Sequence, residues 1–306
     1  MIYVNNLQES LKLFEALASP VRLKILDLLH DGSEMNINEL AKKLELTNSA
    51  LTMHIQKLSD CGLVRIRLSS FSRGMQKLCS LTEDKMLIEL VDKMSNENYY
   101  ETELDVGQYS EYSINPTCGL ADTNALIGDL DNPQAFSFPE RFHAHVVWYT
   151  DGYLTYRFPN KLLAYQKPRE LQISFEISSE SPGADANFPS DIQLIVNGIH
   201  VGTYVCPGEY FDRKGRYTPD WWFVNFGQYG RMKILSINEE GTFLEGLYLS
   251  PTTINDLQLE KHDSIAFSVD CRNASSAHSG GVNLFGVGFG DYNQGIRCRL
   301  FYTEEK

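Results

Sequence analysis

The segment from residue 47 to residue 58 carries side chains suited to contacting a nucleic acid. Leu51, Ile55 and Leu58 fall on one helical stripe and predict a buried face. The remaining positions are mostly short or polar, and can contact phosphates or base edges in a major groove. These candidate contact residues are Thr47, Asn48, Ser49, Thr52, Met53, Gln56 and Lys57. An ordinary amphipathic helix in a small bundle is the alternative explanation.

A positively charged hairpin is predicted directly after this segment. Residues 63–68 alternate apolar and polar, residues 69–74 form a turn, and residues 75–81 return as a second strand. The hairpin brings four basic residues, Arg65, Arg67, Arg73 and Lys77. Such charges suit a wing on the phosphate backbone. For any single one of them, an ordinary solvated surface charge is the competing interpretation.

A second group of candidate residues lies far along the chain and mixes aromatic rings with amides. Sugar recognition needs an aromatic face for the C–H side of the ring and polar groups for the hydroxyls. The candidate ligand-binding residues are Trp148, Tyr217, Trp221, Trp222, Asn225, Gln228, Asn283 and Asn293. Each aromatic residue could instead fill the core of a large β-sandwich.

The sequence contains no clear motif for catalysis or metal binding. G-x-S-x-G and H-E-x-x-H are absent, and the six cysteines are scattered without C-x-x-C spacing. His143 and His145 would share one face of a strand, but the further ligands of a cupin-like site are not clearly placed. Asp129 and Asp131 could ligate calcium, although a solvated acidic loop explains them more simply. We predict no catalytic residue, no metal site and no cofactor.

Helices and turns must position the first set of residues. Asn36 and Glu39 have the spacing of a capping box before one helix, and Thr47 caps the next. Two earlier helices are predicted, with a restart at Ser19-Pro20. A last helix is expected from Thr82, with an apolar seam formed by Leu87, Leu90, Val91 and Met94. That seam could form a dimer surface or pack on its own domain.

The charge of the chain is unevenly distributed. The 306 residues carry a net charge of −13, yet residues 1–95 hold 12 basic and 12 acidic residues. The acidic surplus therefore belongs to the remainder, which should point away from a duplex or set the geometry of a dimer. We predict an N-terminal domain at 1–95, a polar linker at 96–110 and a second domain at 111–306.

The second domain has the pattern of an antiparallel β-sandwich of jelly-roll type. Asn197-Gly198 between two alternating runs predicts a hairpin, and further turns are expected at Asp151-Gly152 and Glu240-Gly241. The predicted strands are 144–150, 153–158, 171–178, 191–197, 200–205, 222–226, 231–238, 243–249, 264–270 and 296–302.

The N-terminal sequence resembles the arsenic-repressor (ArsR) type of winged helix-turn-helix transcription regulators. The resemblance rests on L-A-S-P-V-R-L-K-I-L from Leu17 and on H-I-Q-K-L-S-D-C-G-L-V from His54. It implies a homodimer that sets two recognition helices, residues 48–60, into a palindromic operator, usually as a repressor. Residues 65–81 would be the wing. Many members sense metals through thiols or imidazoles, which are missing here from the corresponding helices.

Together these features predict an α+β multidomain protein, with a winged helix-turn-helix followed by a large β-sandwich. The expected function is regulation of transcription, with operator affinity controlled by a ligand in the sandwich, for which a sugar is the first choice. Two alternatives stay open for the sandwich, namely an oligomerisation or protein-docking module and a carbohydrate-active enzyme domain. No signal peptide or bilayer-spanning run is found, so a cytoplasmic protein without a membrane partner is expected.

Overall fold

A computed structural model describes residues 2–4, 7, 10–30, 34–71, 74–82, 86–88, 98–183, 185–272 and 278–304. The chain divides into two compact units, Met1–Asn96 and Glu97–Lys306. Among the described residues, no helix is both long and apolar enough to cross a membrane.

The first unit combines four helices with short strands. The helices are α1 (Leu11–Leu17), α2 (Pro20–Leu28), α3 (Ile37–Leu44) and α4 (Asn48–Asp60). The strands are β1 (Ile2–Val4), β2 (Met35–Asn36), β3 (Val64–Phe71), β4 (Gly74–Leu81) and β5 (Met86–Ile88). β3 and β4 form an antiparallel hairpin, and β2 pairs with β4. The winged helix-turn-helix predicted from the sequence is therefore present.

Local sequence signals start and stop these helices. The Asn36 side chain accepts a hydrogen bond from the Glu39 N–H, and the Glu39 carboxylate accepts one from the Asn36 N–H. This capping box satisfies two donors at the start of α3. Thr47 caps α4 by accepting from the Ala50 N–H at 3.3 Å. Gly62 follows α4 at φ 73°, a conformation that glycine adopts without strain.

The core of the first unit lies where the three central helices meet. Ile25 of α2 and Leu40 of α3 are fully buried, together with the predicted stripe of α4. That stripe, Leu51, Ile55 and Leu58, is at most 1% exposed. The spacing of these residues puts them on one side of α4, which fixes its opposite side toward solvent.

The prediction of a helix beginning at Thr82 is wrong for residues 86–88, which the structure describes. Met86–Ile88 is a strand that pairs in parallel with Ile2–Val4. A short apolar run does not distinguish helix from strand by its period, and here pairing with the N-terminal strand decides. Leu90, Val91 and Met94 of the predicted seam lie outside the described residues.

The second unit is built from antiparallel strands. They are β6 (Tyr99–Leu104), β7 (Glu111–Ala121), β8 (Val146–Pro159), β9 (Gln166–Ser178), β10 (Ser190–Val196), β11 (Ile199–Cys206), β12 (Arg231–Asn238), β13 (Gly241–Leu244), β14 (Leu247–Ser250), β15 (Ser264–Asp270), β16 (Val282–Phe285) and β17 (Ile296–Glu304). One ladder runs β11-β10-β15-β8-β16-β9-β12-β13-β14, with β7 on β8 and β17 between β9 and β6.

The long strands β8 and β9 give this sheet its sandwich-like form. The first half of β8 pairs with β16, and its second half pairs with β15. β9 likewise pairs with β16 near its end and with β17 along most of its length. Because each strand changes partner along its length, the ladder branches and encloses one large apolar core, including Phe175 and Phe267. The predicted antiparallel β-rich domain is confirmed.

Several predicted boundaries in the second unit are corrected. Residues 146–150 and 153–158 of the two predicted strands belong to the single strand β8, which continues through the predicted turn at Gly152, while residues 144 and 145 precede it. Residues 222–226 form a loop, and residues 243–249 are divided between β13 and β14. Residues 99–104, inside the predicted linker, form β6 instead. The Asn197-Gly198 hairpin is confirmed, with both residues at positive φ.

Candidate functional site

One face of α4 is exposed and polar. All seven candidate residues are exposed, namely Thr47, Asn48, Ser49, Thr52, Met53, Gln56 and Lys57. Met53 has an exposed fraction of 68%, whereas Leu51 and Leu58 are fully buried. The helix therefore presents a continuous face of hydrogen-bonding groups and one flexible apolar side chain, whose chemistry fits base edges and phosphates.

Several polar groups of this face already have partners within the unit. The Gln56 amide donates to the Asp60 carboxylate at 2.7 Å, and the Asn48 amide donates to the Asn38 side chain at 2.7 Å. The Thr52 hydroxyl donates to the Asn48 carbonyl at 2.7 Å. Binding to DNA would exchange the first two bonds, so the net gain from each side chain is the difference between the old partner and the new one.

The basic residues of the hairpin differ in their exposure and in the contacts that they make. Arg67 donates from Nε and Nη2 to the Glu34 carboxylate at 3.2 and 2.5 Å, in a pair exposed to solvent. Lys77 is exposed and Arg65 is half-buried. Arg73 lies outside the described residues. Glu34 directly precedes β2 and is distant from Arg67 in the sequence. The charge pattern of the hairpin alone therefore did not predict this ion pair.

His54 lies inside α4 and is half-buried. Burial, together with the positive charges of Arg22 and Lys57, lowers the pKa of its imidazole from the ordinary value. A neutral imidazole at this position suits packing rather than attraction to a phosphate.

The second unit contains a partly open cavity of about 100 Å³. Its lining residues are Thr117, Leu130, Asp131, Trp148, Glu180, Ser181, Pro182, Gly183, Glu209, Asn225 and Phe226. Two predicted ligand-binding residues, Trp148 and Asn225, are therefore brought together here from positions distant in sequence. Asp131, considered above as a calcium ligand, also lines the cavity, and its carboxylate accepts from the Cys118 N–H at 2.9 Å.

Two buried glutamates, Glu180 and Glu209, share one network in this cavity. The Ser181 hydroxyl donates to Glu209 at 2.8 Å and accepts from the Asp185 N–H at 2.6 Å. The Asn283 amide donates to the Ser179 carbonyl at 2.7 Å and also interacts with both carboxyl groups. Asn283, a third predicted residue, thus lies beside the glutamate pair without lining the cavity.

The ionisation of the glutamate pair is shifted toward the protonated form. Burial, followed by the charge of Glu209, raises the pKa of Glu180 well above its ordinary value. Burial raises the pKa of Glu209 to about 7, against the opposing effect of its hydrogen bonds, of which the one from Ser181 is the largest. Near neutral pH the two carboxyl groups therefore hold a proton that isolated glutamates would have lost.

Aromatic rings form one wall of the cavity. Trp148 makes edge contacts with Trp222 and Phe226, at centroid distances of 5.6 and 6.0 Å. Gly119 makes room for the Trp148 ring, because a β-carbon at that position would lie 2.2 Å from a ring atom. The Gln228 amide donates to the carbonyls of Phe223 and Phe226. This residue therefore fixes the loop that supplies Asn225 and Phe226.

The remaining predicted ligand-binding residues do not line the cavity. Trp222 and Gln228 are buried supports of the loop, with the Trp222 indole donating to the Gly227 carbonyl at 2.9 Å. The Trp221 indole donates to the Thr123 carbonyl at 2.7 Å. Tyr217 is exposed, and the Asn293 side chain accepts from the Gly288 N–H. Aromatic and amide composition alone could not separate supporting residues from lining residues.

The two glutamates were not predicted from the sequence. Glu180 follows the end of β9 by two residues, and Glu209 follows the end of β11 by three. Each lies beside a turn signal, Pro182-Gly183 or Pro207-Gly208. Acidic residues between a buried strand and such a turn were the available signal, but only the fold brings the two strand ends together.

The thiols do not form a reactive centre among the described residues. All six cysteines are free, and all except Cys61 are buried. Burial raises the pKa of Cys79 to about 11 and that of Cys118 to about 12. Thiols with raised pKa values are poor nucleophiles at neutral pH.

Comparison with known proteins assigns the first unit. Residues 17–67 match the family model described as a helix-turn-helix domain. An uncharacterised HTH-type transcriptional regulator of Methanocaldococcus jannaschii is 36% identical over 85 residues, covering 27% of this chain and 88% of that relative. The transcriptional activator HlyU of Vibrio cholerae is 36% identical over 89 residues, covering 29% of this chain and 80% of that relative.

One solved structure aligns with a large part of the chain. A family GH115 4-O-methyl-α-glucuronidase is 11% identical, covers 74% of this chain and 20% of its own, and has a TM-score of 0.26. A likeness this weak carries no functional argument. The assignment rests on residues 17–67, which match the helix-turn-helix family model, and on the two relatives, of whose length this chain covers 88% and 80%. The chain belongs to the ArsR-type winged helix-turn-helix transcription regulators.

Proposed function

We propose that this regulator is a homodimer that represses transcription from a palindromic operator, and that a small polar ligand in the second unit controls its operator affinity. The observation that carries the DNA-binding part is the division of α4 into a buried stripe and an exposed polar face. A helix held from one side by its own core can enter a major groove without losing that core.

The exposed residues of α4 and the hairpin would have different roles. Ser49 and Gln56 have the hydrogen-bonding groups to contact base edges, whereas Lys57 and Lys77 would contact phosphates. Thr47, Asn48, Thr52, Met53 and the hairpin arginines complete the proposed interface. Arg73 keeps this role as a prediction from sequence. Because residues 1–95 are neutral overall, binding should depend on these local charges rather than on the net charge.

Control by a ligand requires different affinities for two arrangements of the dimer. A ligand that binds the second unit more tightly in one arrangement changes the operator affinity by that difference in free energy. The cavity supports this part of the proposal because it is concave, lined by aromatic and polar groups, and assembled from several loops. A sugar is the ligand class predicted from the aromatic and amide composition.

The test is binding of the full-length protein to the DNA fragment upstream of its own gene. Retardation in dilute buffer that weakens with added salt would support the proposal, and light scattering would give the stoichiometry of the complex. Lys24→Ala, on the exposed side of α2, is the control for Lys57→Ala. No retardation at low salt, or equal losses for both variants, would contradict the assignment of α4.

The direction of regulation needs a separate measurement. The relative from Vibrio cholerae is described as an activator, whereas the ArsR resemblance implies a repressor. A reporter driven by the bound promoter should rise when the gene is deleted if the protein represses. A fall in the reporter would reverse the proposed direction and leave DNA binding unchanged.

A further inference from the structure

We propose that the cavity of the second unit binds the ammonium group of a small primary amine, held by Glu180 and Glu209 against the aromatic wall of Trp148 and Phe226. This inference rests on the proposed function, because it names the chemical class of the controlling ligand. The amine either stands alone or forms one end of a larger molecule, such as an amino sugar.

The size of the cavity limits what can enter it. Its volume is about 100 Å³, and it is partly open to solvent. Pockets that enclose drug-sized ligands measure about 300–1,000 Å³. An ammonium group and the carbon atoms next to it fit the interior, while the rest of a hexose would remain at the open side.

The charge of the lining favours a cation. Three of its described residues are acidic, namely Asp131, Glu180 and Glu209, and none of the eleven is basic. Asp131 accepts a backbone hydrogen bond. Glu209 accepts from the Ser181 hydroxyl, and also from the Asn283 amide and the backbone N–H groups of Gly227 and Ser181. For Glu180, which is 9% exposed, the donor identified among the described residues is the Asn283 amide. The acceptor sites left for an ammonium group therefore lie mainly on Glu180.

Two other ligand classes fit these observations less well. A neutral sugar could exchange hydrogen bonds with the carboxyl groups, but it brings no positive charge to a lining with three acidic and no basic residues. A metal ion needs several converging ligands, and the described residues contain no group of three or more His, Cys, Asp or Glu able to hold one. An ammonium supplies both the charge and the donors. Trp148 and Phe226 line the same cavity, and aromatic rings beside a cation can add cation–π attraction.

Proton release would mark binding to this pair. The titratable groups facing one another are Glu180, Glu209 and Asp131, and burial and mutual repulsion raise the pKa of Glu180. A bound cation favours the ionised carboxylates, so the proton that the pair holds near neutral pH should leave on binding. A neutral ligand that only accepts or donates hydrogen bonds would not require this loss.

The experiment is isothermal titration calorimetry of the full-length protein with ethanolamine and glucosamine, compared with ethylene glycol and glucose. Titrations at about pH 7 in two buffers of different ionisation enthalpy measure the protons released. We expect the amines to bind with release of up to about one proton, and the neutral compounds to bind at least about tenfold more weakly.

Variants locate the binding site. Glu180→Gln and Glu209→Gln keep the side-chain shape and should each weaken amine binding about tenfold or more. Glu111→Gln removes an exposed carboxylate from β7 and should have no effect. Amine binding unchanged by both cavity substitutions, or glucose binding more tightly than glucosamine, would overturn the proposal. Proton release is measured on the unmodified protein, so this test remains if a variant fails to fold.

Adding the operator fragment separates this inference from the proposed function. Amine binding that depends on Glu180 and Glu209, in a protein that does not retard DNA, would support the cavity assignment and overturn regulation. Retardation of DNA with no amine binding would do the reverse. If amines bind and the operator affinity changes with them, both proposals are supported.

Discussion

The two candidate sites place their polar side chains in opposite environments. On α4 they are exposed and belong to one continuous helix of 13 residues. In the cavity the carboxyl groups of Glu180 and Glu209 are buried, and they reach it from separate strand ends. A surface that contacts a groove stays solvated until DNA arrives, whereas a cavity that selects a small ligand has already lost water around its charges.

Because of this difference, mutations at the two sites should have different effects on affinity and on stability. Removing an exposed group of α4 should change affinity and leave stability almost unchanged. Removing a buried like charge from the cavity should change stability in the favourable direction and abolish the function that the charge serves.

The largest expected effect separates the two sides of α4. Leu51→Ala removes a fully buried side chain and should lower the free energy of unfolding of the first unit by about 2–5 kcal/mol. Met53→Ala, on the exposed side, should change it by less than about 0.5 kcal/mol. Urea unfolding followed by the helical circular-dichroism signal measures the first unit, because all four described α-helices lie there.

Tryptophan fluorescence gives the control for that measurement. Trp148, Trp221 and Trp222 are the only tryptophans of the chain, and all belong to the second unit. Their unfolding transition should be the same in Leu51→Ala and in the unmodified protein. A Met53→Ala protein as unstable as Leu51→Ala would show that the assigned orientation of α4 is wrong.

The next effect concerns the buried pair. The pKa of Glu209 is raised from 4.5 to about 7 in the folded chain, so the unfolded chain loses its proton first. The free energy of unfolding should therefore fall as the pH rises from about 4.5 to about 7. Glu209→Gln removes this loss and should be more stable than the unmodified protein by about 3 kcal/mol near pH 8, but not near pH 4.

Thermal unfolding at both pH values checks this prediction, with Glu111→Gln as the exposed control. The amide introduced by Glu209→Gln keeps an oxygen that can accept from Ser181, so the hydrogen bond need not be lost. A Glu209→Gln protein that is less stable than the unmodified protein near pH 8 would mean that the Glu209 charge stabilises the fold. That result would contradict the expected difference between the cavity and α4.

The orientation of α4 could be predicted from the sequence, whereas the glutamate pair of the cavity could not. The orientation of α4, and the caps of α3 and α4 at Asn36 and Thr47, depend on residues no more than four positions apart, so periodicity and capping rules suffice. The cavity depends on contacts between residues such as Glu180 and Asn283, 103 positions apart in the sequence. A pattern of neighbouring residues in the sequence does not predict such a long-range contact.

Errors in the predicted elements have the same physical origin. The run at Met86–Ile88 forms a strand because the N-terminal strand pairs with it, and Gly152 continues β8 because neighbours on both sides extend the ladder. Turn chemistry succeeded where the turn is self-contained, as at Asn197-Gly198. Residues 222–226 were predicted to form a strand, yet Trp222 and Phe226 pack on Trp148 from a loop.

A smaller effect tests the division of roles on α4. Gln56→Ala should cost about 1–3 kcal/mol at one base position and little on unrelated sequences. Lys57→Ala should weaken binding on all sequences and reduce the salt slope by about one. Fluorescence anisotropy with operator and scrambled duplexes measures both, with Lys24→Ala as control. Equal losses for Gln56→Ala on both duplexes would contradict a base contact and indicate a purely backbone role.

The smallest effect concerns the exposed pair between Arg67 and Glu34. Such pairs contribute about 0–1 kcal/mol to stability, so Glu34→Ala should leave the fold almost unchanged. Removing the carboxylate takes away a competitor for the guanidinium and a negative charge near the phosphates. Operator affinity should therefore rise, by up to about fivefold, and its salt dependence should steepen. The double variant Glu34→Ala/Arg67→Ala should lose that gain. Weaker binding by Glu34→Ala would mean that the carboxylate orients Arg67 for the backbone instead of competing with it.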